Sequence, residues 1–152
     1  MTTEITFDED KWLKIILLLN DTYNSLEEIN RETIYQLPIH EKRKFRKKGY
    51  YLTVQALAHI FEKHYHKGKK YPMAAKFTVD VINILHLIRD AWNNHETPLH
   101  NTSNFKRIIE ADIIIGKEIG GMETKIFTII TDGGGKILTA FPGLPNKTFT
   151  RD

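Results

Sequence analysis

Residues 125–141 read KIFTIITDGGGKILTAF, and no other stretch of the chain restricts the fold as much. In KIFTIIT, Ile126, Thr128 and Ile130 alternate with Phe127, Ile129 and Thr131, the two-residue period of a strand. DGGG at 132–135 supplies residues that tolerate positive φ, as a tight hairpin turn requires. KILTAF pairs back, and Pro142-Gly143 ends it. Upstream, IIEADIIIGKEIG (108–120) is β-branched and closes on Gly120-Gly121, which adds a third strand. The final third is therefore expected to be a three-stranded antiparallel meander. In it Thr139 shares a face with Ile137 and Phe141, a hydroxyl between two large apolar side chains.

The chain before this point has a helical period. Thr6-x-x-Glu9 is a capping-box pattern, followed by Trp12, Ile15, Ile16 and Leu19 on one face. After a break at Asn20-Asp21, a second box, Ser25-x-x-Glu28, opens a face of Leu26, Ile29 and Ile34 that runs to Pro38. HEKRKFRKK (40–48) is polar all round except for Phe45, a short exposed helix or a loop that Gly49 ends. YYLT is extended, and Thr53 caps a helix with Val54, Leu57, Ile60 and Phe61 inward. That helix ends near His64 to Lys67, before Gly68. Beyond the linker KGKKYPMAAKF (67–77), Thr78 is the expected N-cap of an amphipathic helix of about fifteen residues. It carries Val81, Ile84, Leu85, Ile88 and Trp92. Residues 93–104 form a polar loop. Helices followed by strands give an α+β order. The expected architecture is N-terminal helices packed on one face of a C-terminal antiparallel meander. Residues 1–45 form an accessory helical region, and 46–152 the α+β domain, together one compact unit.

The chain has no cysteine, which removes disulfides, thiolate metal sites and a cysteine nucleophile. The longest apolar run, Ile15 to Leu19, is too short to span a bilayer. The opening MTTEITFDED lacks the basic and apolar regions of a secretory signal. The expectation is a protein that acts in the cytosol, away from membranes, reaching it where necessary from another cell or a phage. The net charge of +3 is unevenly spread. Between Glu41 and Lys76 stand eleven Lys or Arg against two Glu, while the rest of the chain is acidic. Such a concentration is either a solvated basic face or a surface for a polyanion. Arg43, Arg46, Lys67, Lys69 and Lys70 are the candidate nucleic-acid contacts.

Three of the seven histidines, His59, His64 and His66, lie within this basic region. Their spacing does not match a zinc motif: H-x4-H is not H-E-x-x-H, only Glu62 is near, and lysines would repel a cation. On an unbroken helix His59 and His66 share a face, and His64 lies about 140° from His59. DGGGK lacks phosphate-loop spacing and sits between two strands. No G-x-S-x-G is present, and both serines, Ser25 and Ser103, sit in polar, cap-like contexts. General acid–base chemistry on RNA fits the inventory better. RNA brings its own nucleophile, the 2′-hydroxyl. The protein must supply a base, an acid and cations for the phosphorane charge. Histidine and lysine provide these without a metal or any other cofactor.

The order of parts adds to this. LTVQALAHIFEKH (52–64), a lysine-rich linker, KFTVDVINILHLI (76–88) and FTIITDGGGKILTAFP (127–142) together resemble the barnase–EndoU–colicin–RelE-like (BECR) ribonuclease superfamily over about residues 50–143. The resemblance implies a metal-independent endoribonuclease, a bacterial or phage polymorphic toxin. Its substrate would be RNA, tRNA included, and an immunity or antitoxin protein its partner. It implies His59 and His64 as catalytic histidines, Lys76 as the phosphate-stabilising lysine and Thr139 as the hydroxyl on the last strand. The chain departs from the pattern in its richer lysine content and in His66, a rival for the second proton role. The glycine-rich second-histidine segment of EndoU itself is absent. Arg89 and Arg107 are further candidates for phosphate contact, on charge alone. The competing reading is a non-catalytic nucleic-acid-binding or partner-binding module of a mobile element.

Overall fold

The structure, a computed structural model, describes residues 7–21, 36–39, 46–47 and 49–145. Helix α1 spans Glu9–Asp21. Its first turn is capped by Asp8, whose carboxylate accepts the Lys11 amide at 3.2 Å. Thr6, expected to cap it, lies outside the described residues, as do the second capping box, its apolar face and most of the basic run. Ile16 is the buried anchor of α1, with Trp12, Leu13, Leu17 and Leu19 packed around it.

Helix α2 spans Val54–His64, and Thr53 caps it as expected, accepting the Ala56 amide at 3.1 Å. Tyr65 leaves in an extended conformation, so His66 lies beyond the helix. The expected shared helical face of His59 and His66 does not form. Helix α3 spans Val81–Asp90 and continues as a 3₁₀ turn through Asn93. Its N-cap is Asp80, which accepts the Asn83 amide at 2.8 Å, and not Thr78. The shift has a physical reason. Lys76–Phe77 is a short strand, so the backbone stays extended, and the Thr78 amide is held by the Ile115 carbonyl.

All strand ladders among the described residues are antiparallel. β1 (Arg46–Lys47) pairs with β2 (Tyr50–Tyr51). β3 (Lys76–Phe77), β6 (Gly116–Lys117) and β7 (Glu123–Thr124) form a small sheet in the order β3-β6-β7. The main sheet contains β4 (Thr97–Pro98), β5 (Phe105–Glu110), β8 (Ile126–Thr131) and β9 (Ile137–Pro142), in the order β4-β5-β8-β9. The expected meander is its β5-β8-β9 part. β4 extends it from within the expected loop, with Pro98 tolerated because the strand is at an edge. β5 begins earlier than expected, at Phe105, and the chain leaves this sheet after Glu110 to build β6 and β7.

Register shows which side chains share a face. Phe141 pairs with Thr128 and Thr139 with Ile130, but Thr131 pairs with Ile137. Leu138 is therefore an extra residue in β9, a β-bulge. Ile137, Ala140, Ile129 and Phe127 belong to the main core beneath the helices, and Ile130 and Phe141 to a second cluster on the other face. Thr139 and Phe141 share a face, as expected, but Ile137 does not join them. The bulge puts it on the opposite side. α2 packs against both α1 and β9, so the helices cover one face and the edge of the sheet.

Candidate active site

On the face away from the main core, the sheet forms the floor of a cleft of about 1090 Å³. Ile130, Leu138, Thr139 and Phe141 make the floor; Lys63 and His64, from the end of α2, and residues 70–75 make one wall. Glu118 and Ile119, from the turn between β6 and β7, close another side. The lining is largely apolar, with Lys63, His64 and Lys70 on one wall, Thr139 on the floor and Glu118 on another side, a few polar groups in an apolar cleft as in a ligand site.

His64 is 2% exposed. Its Nδ1 lies 2.9 Å from the Ala75 carbonyl oxygen. A carbonyl only accepts, so Nδ1 carries the proton in this contact and the neutral ring has its lone pair on Nε2. The Phe141 ring sits 5.5 Å from the imidazole, centroid to centroid, and the His59 ring meets it edge-on at 5.7 Å. The two histidines thus touch despite a helical offset of about 140°. Thr139 is 2% exposed, and its Oγ1 has no hydrogen-bond partner among the described residues. A buried hydroxyl left in that state costs about 1–3 kcal/mol.

Of the expected site residues, His64, Thr139 and Lys70 come together in this cleft. His59 stands behind His64 and does not line it. Lys76 does not line it either. Its ammonium donates to the carbonyls of Lys63 at 2.6 Å and Gly68 at 3.4 Å, where it offsets the negative end of α2. Burial, and then the charge of Lys63, lower its pKa from the ordinary lysine value. His66 is exposed, with its ring edge-on to Tyr65 at 4.7 Å. Lys67 is paired with Glu9 at 2.5 Å, while Lys69 is exposed. Lys70 also forms an ion pair with Glu62 at 3.1 Å.

The two arginines lie elsewhere. Arg89 is bound to Asp90 through Nε at 2.8 Å. Arg107 is buried on the helix-facing side of the sheet, its guanidinium 4.7 Å from the Tyr50 ring centre and its Nε donating to the Asn94 carbonyl. Arg43 lies outside the described residues; Arg46 pairs through its backbone in β1.

Lys63 and Tyr71 were not expected as site residues, yet both line the cleft. The signal was present in KKYP, an aromatic interleaved with lysines. Among the described residues, no three His, Asp or Glu side chains gather as a metal site, and no helix is long and apolar enough to cross a membrane. Comparison with protein-family models, curated proteins and solved structures returned no match.

Proposed function

We propose that this protein is a metal-independent endoribonuclease, of the toxin type that its BECR-like sequence order implies, with the cleft as its active site. The observation that carries this reading is the buried Thr139 hydroxyl, without a hydrogen-bond partner among the described residues and in the same cleft as an imidazole and two ammonium groups. A phosphate oxygen would satisfy that hydroxyl. Lys63 and Lys70 supply positive charge for the phosphorane.

His64 is the base. With its proton held on Nδ1 by Ala75, Nε2 takes the proton of the RNA 2′-hydroxyl. The 2′-oxygen attacks the adjacent phosphorus, and the bond from phosphorus to the 5′-oxygen breaks. The departing oxygen takes a proton from the lysine wall, leaving a 2′,3′-cyclic phosphate and a 5′-hydroxyl. His64 later gives its proton to water, and the lysine takes one back from water. The His64 Nε2 lies beneath the surface, so substrate entry has to uncover it while the Ala75 contact at Nδ1 is kept. His59, edge-on behind it, is a positioning residue.

The test is incubation with tRNA and with unstructured RNA in EDTA, followed by end mapping. Cleavage to 2′,3′-cyclic ends is expected, with His64→Ala lowering the rate at least about 100-fold. Thr139→Val is expected to lower it about tenfold or more, as loss of a phosphate hydrogen bond would. Intact RNA at micromolar protein, or cleavage unchanged in His64→Ala, would overturn the reading. A second reading has its own support: the cleft rim exposes Met73, Ile119 and Leu144 at 80%, 57% and 59%, as a partner-docking groove would. Binding of a protein partner without any RNA cleavage would favour it.

A further inference from the structure

Tyr71 stands in the wall of the cleft and is 40% exposed. The ammonium groups of Lys63 and Lys70 each lie 5.7 Å from its ring centre, and both lysines line the same cleft. An aromatic ring beside two cations, next to an apolar floor, combines the two elements by which proteins hold unpaired nucleotides: a stacking surface for the base and charge for the phosphates on either side. At 5.7 Å the cation contacts are near the outer limit of the effective range, so a base that displaces one ammonium loses little. Apolar residues elsewhere in the lining, Leu99, Ile130 and Leu138 among them, suit the flat face of a base better than the charged outside of a duplex.

We infer that Tyr71 is the stacking platform for one base of a single-stranded RNA, with Lys63 and Lys70 on its flanking phosphates. This deepens the ribonuclease reading and rests on it. The platform favours unpaired segments over duplex and tolerates any base, because every base has a π face.

The experiment uses the full chain and a labelled single-stranded oligonucleotide of 2′-fluoro RNA, which lacks the attacking hydroxyl, read by fluorescence anisotropy. Tyr71→Phe keeps the ring and is expected to bind within about twofold of the parent, and Tyr71→Ala about tenfold more weakly. Tyr71→Leu, apolar but not planar, should resemble Tyr71→Ala. The slope of log affinity against log salt should be unchanged in all three Tyr71 variants and shallower by about 0.7 in Lys63→Ala or Lys70→Ala. A purely structural role would not separate ring loss from salt slope in this way. If Tyr71→Ala binds as the parent does, while the parent cleaves RNA, the stacking inference is overturned and the ribonuclease reading stands. If the parent neither binds nor cleaves RNA, both fall together.

Discussion

The Glu9 carboxylate joins three segments. Oε1 accepts from Tyr65 at 3.0 Å and Lys67 at 2.5 Å, and Oε2 lies 3.4 Å from the Val81 amide. It ties the start of α1 to the end of α2 and to the first turn of α3. Burial alone would raise its pKa, but the hydrogen bonds from Lys67, Tyr65 and Val81 and the charge of Lys67 outweigh it and hold Glu9 below its ordinary value. A folded pKa lowered in this way gives stability that is present above the unfolded carboxylate value, about 4.3, and lost as pH falls through the folded one. Glu9→Gln is therefore expected to lower Tm at neutral pH and to converge with the parent in acid, as thermal melts from pH 7 to 3 would show. Glu9 was legible only as a helix-start residue, because its partners lie more than fifty positions away in sequence. Thr53 could be read as a cap because a cap is local. Lys76 and Lys67 could not be read as structural, since what an ammonium binds depends on which carbonyls and carboxylates the fold brings to it.

At the scale of elements, the β8–β9 hairpin was the most legible part, and its turn is built as the sequence suggests. Asp132 Oδ1 accepts the amides of Gly134 and Lys136, each at 2.9 Å, and Gly135 has φ of 91°. Sequence did not show why Gly135 must be glycine twice over. A Cβ there would lie 2.0 Å from the backbone carbon of Gly49, because the turn docks on β2 through the Tyr51 amide and the Gly135 carbonyl, 2.9 Å apart. Gly135→Ala is expected to cost about 2 kcal/mol or more, the sum of strain and overpacking, measured by denaturant titration. The small sheet β3-β6-β7 was not legible at all. Strands of two residues have no period to detect, and they form here because the tertiary fold brings Lys76–Phe77 against Gly116–Lys117.

At the scale of the molecule, α1 packs on α2, α2 packs on β9, and the main core runs from Ile16 through Leu57 and Ile60 to Ile129. Helix α1 shares this core, so it is expected to unfold with the sheet and not before it. In a Trp92→Phe variant, Trp12 fluorescence reports α1 alone, and its denaturant midpoint should coincide with that of far-UV circular dichroism. Ile16→Ala should shift both midpoints together, by about 2–5 kcal/mol of stability. The coarse order, helices and then the long strands, was legible because it depends on period, but the two-residue strands β1 and β3 that stand between the helices were not. Which face of the sheet carries the cleft was not. That follows from Leu138, and from how α2 ends at the edge of β9, leaving His64 against Phe141.

Leu138 has one more consequence. The ladder from Phe127 to Thr131 would close without it, since the pairs on either side are already in phase with their own faces. Its side chain serves only the cleft floor. Any relative that lacks this residue would keep the same core and the same Thr139 orientation while being one position shorter. An ungapped alignment of the two would then set core residues against cleft residues through half the strand. A search for relatives of this chain should allow a single-residue gap between Ile137 and Thr139, and judge matches by the phase of apolar positions on each side of it.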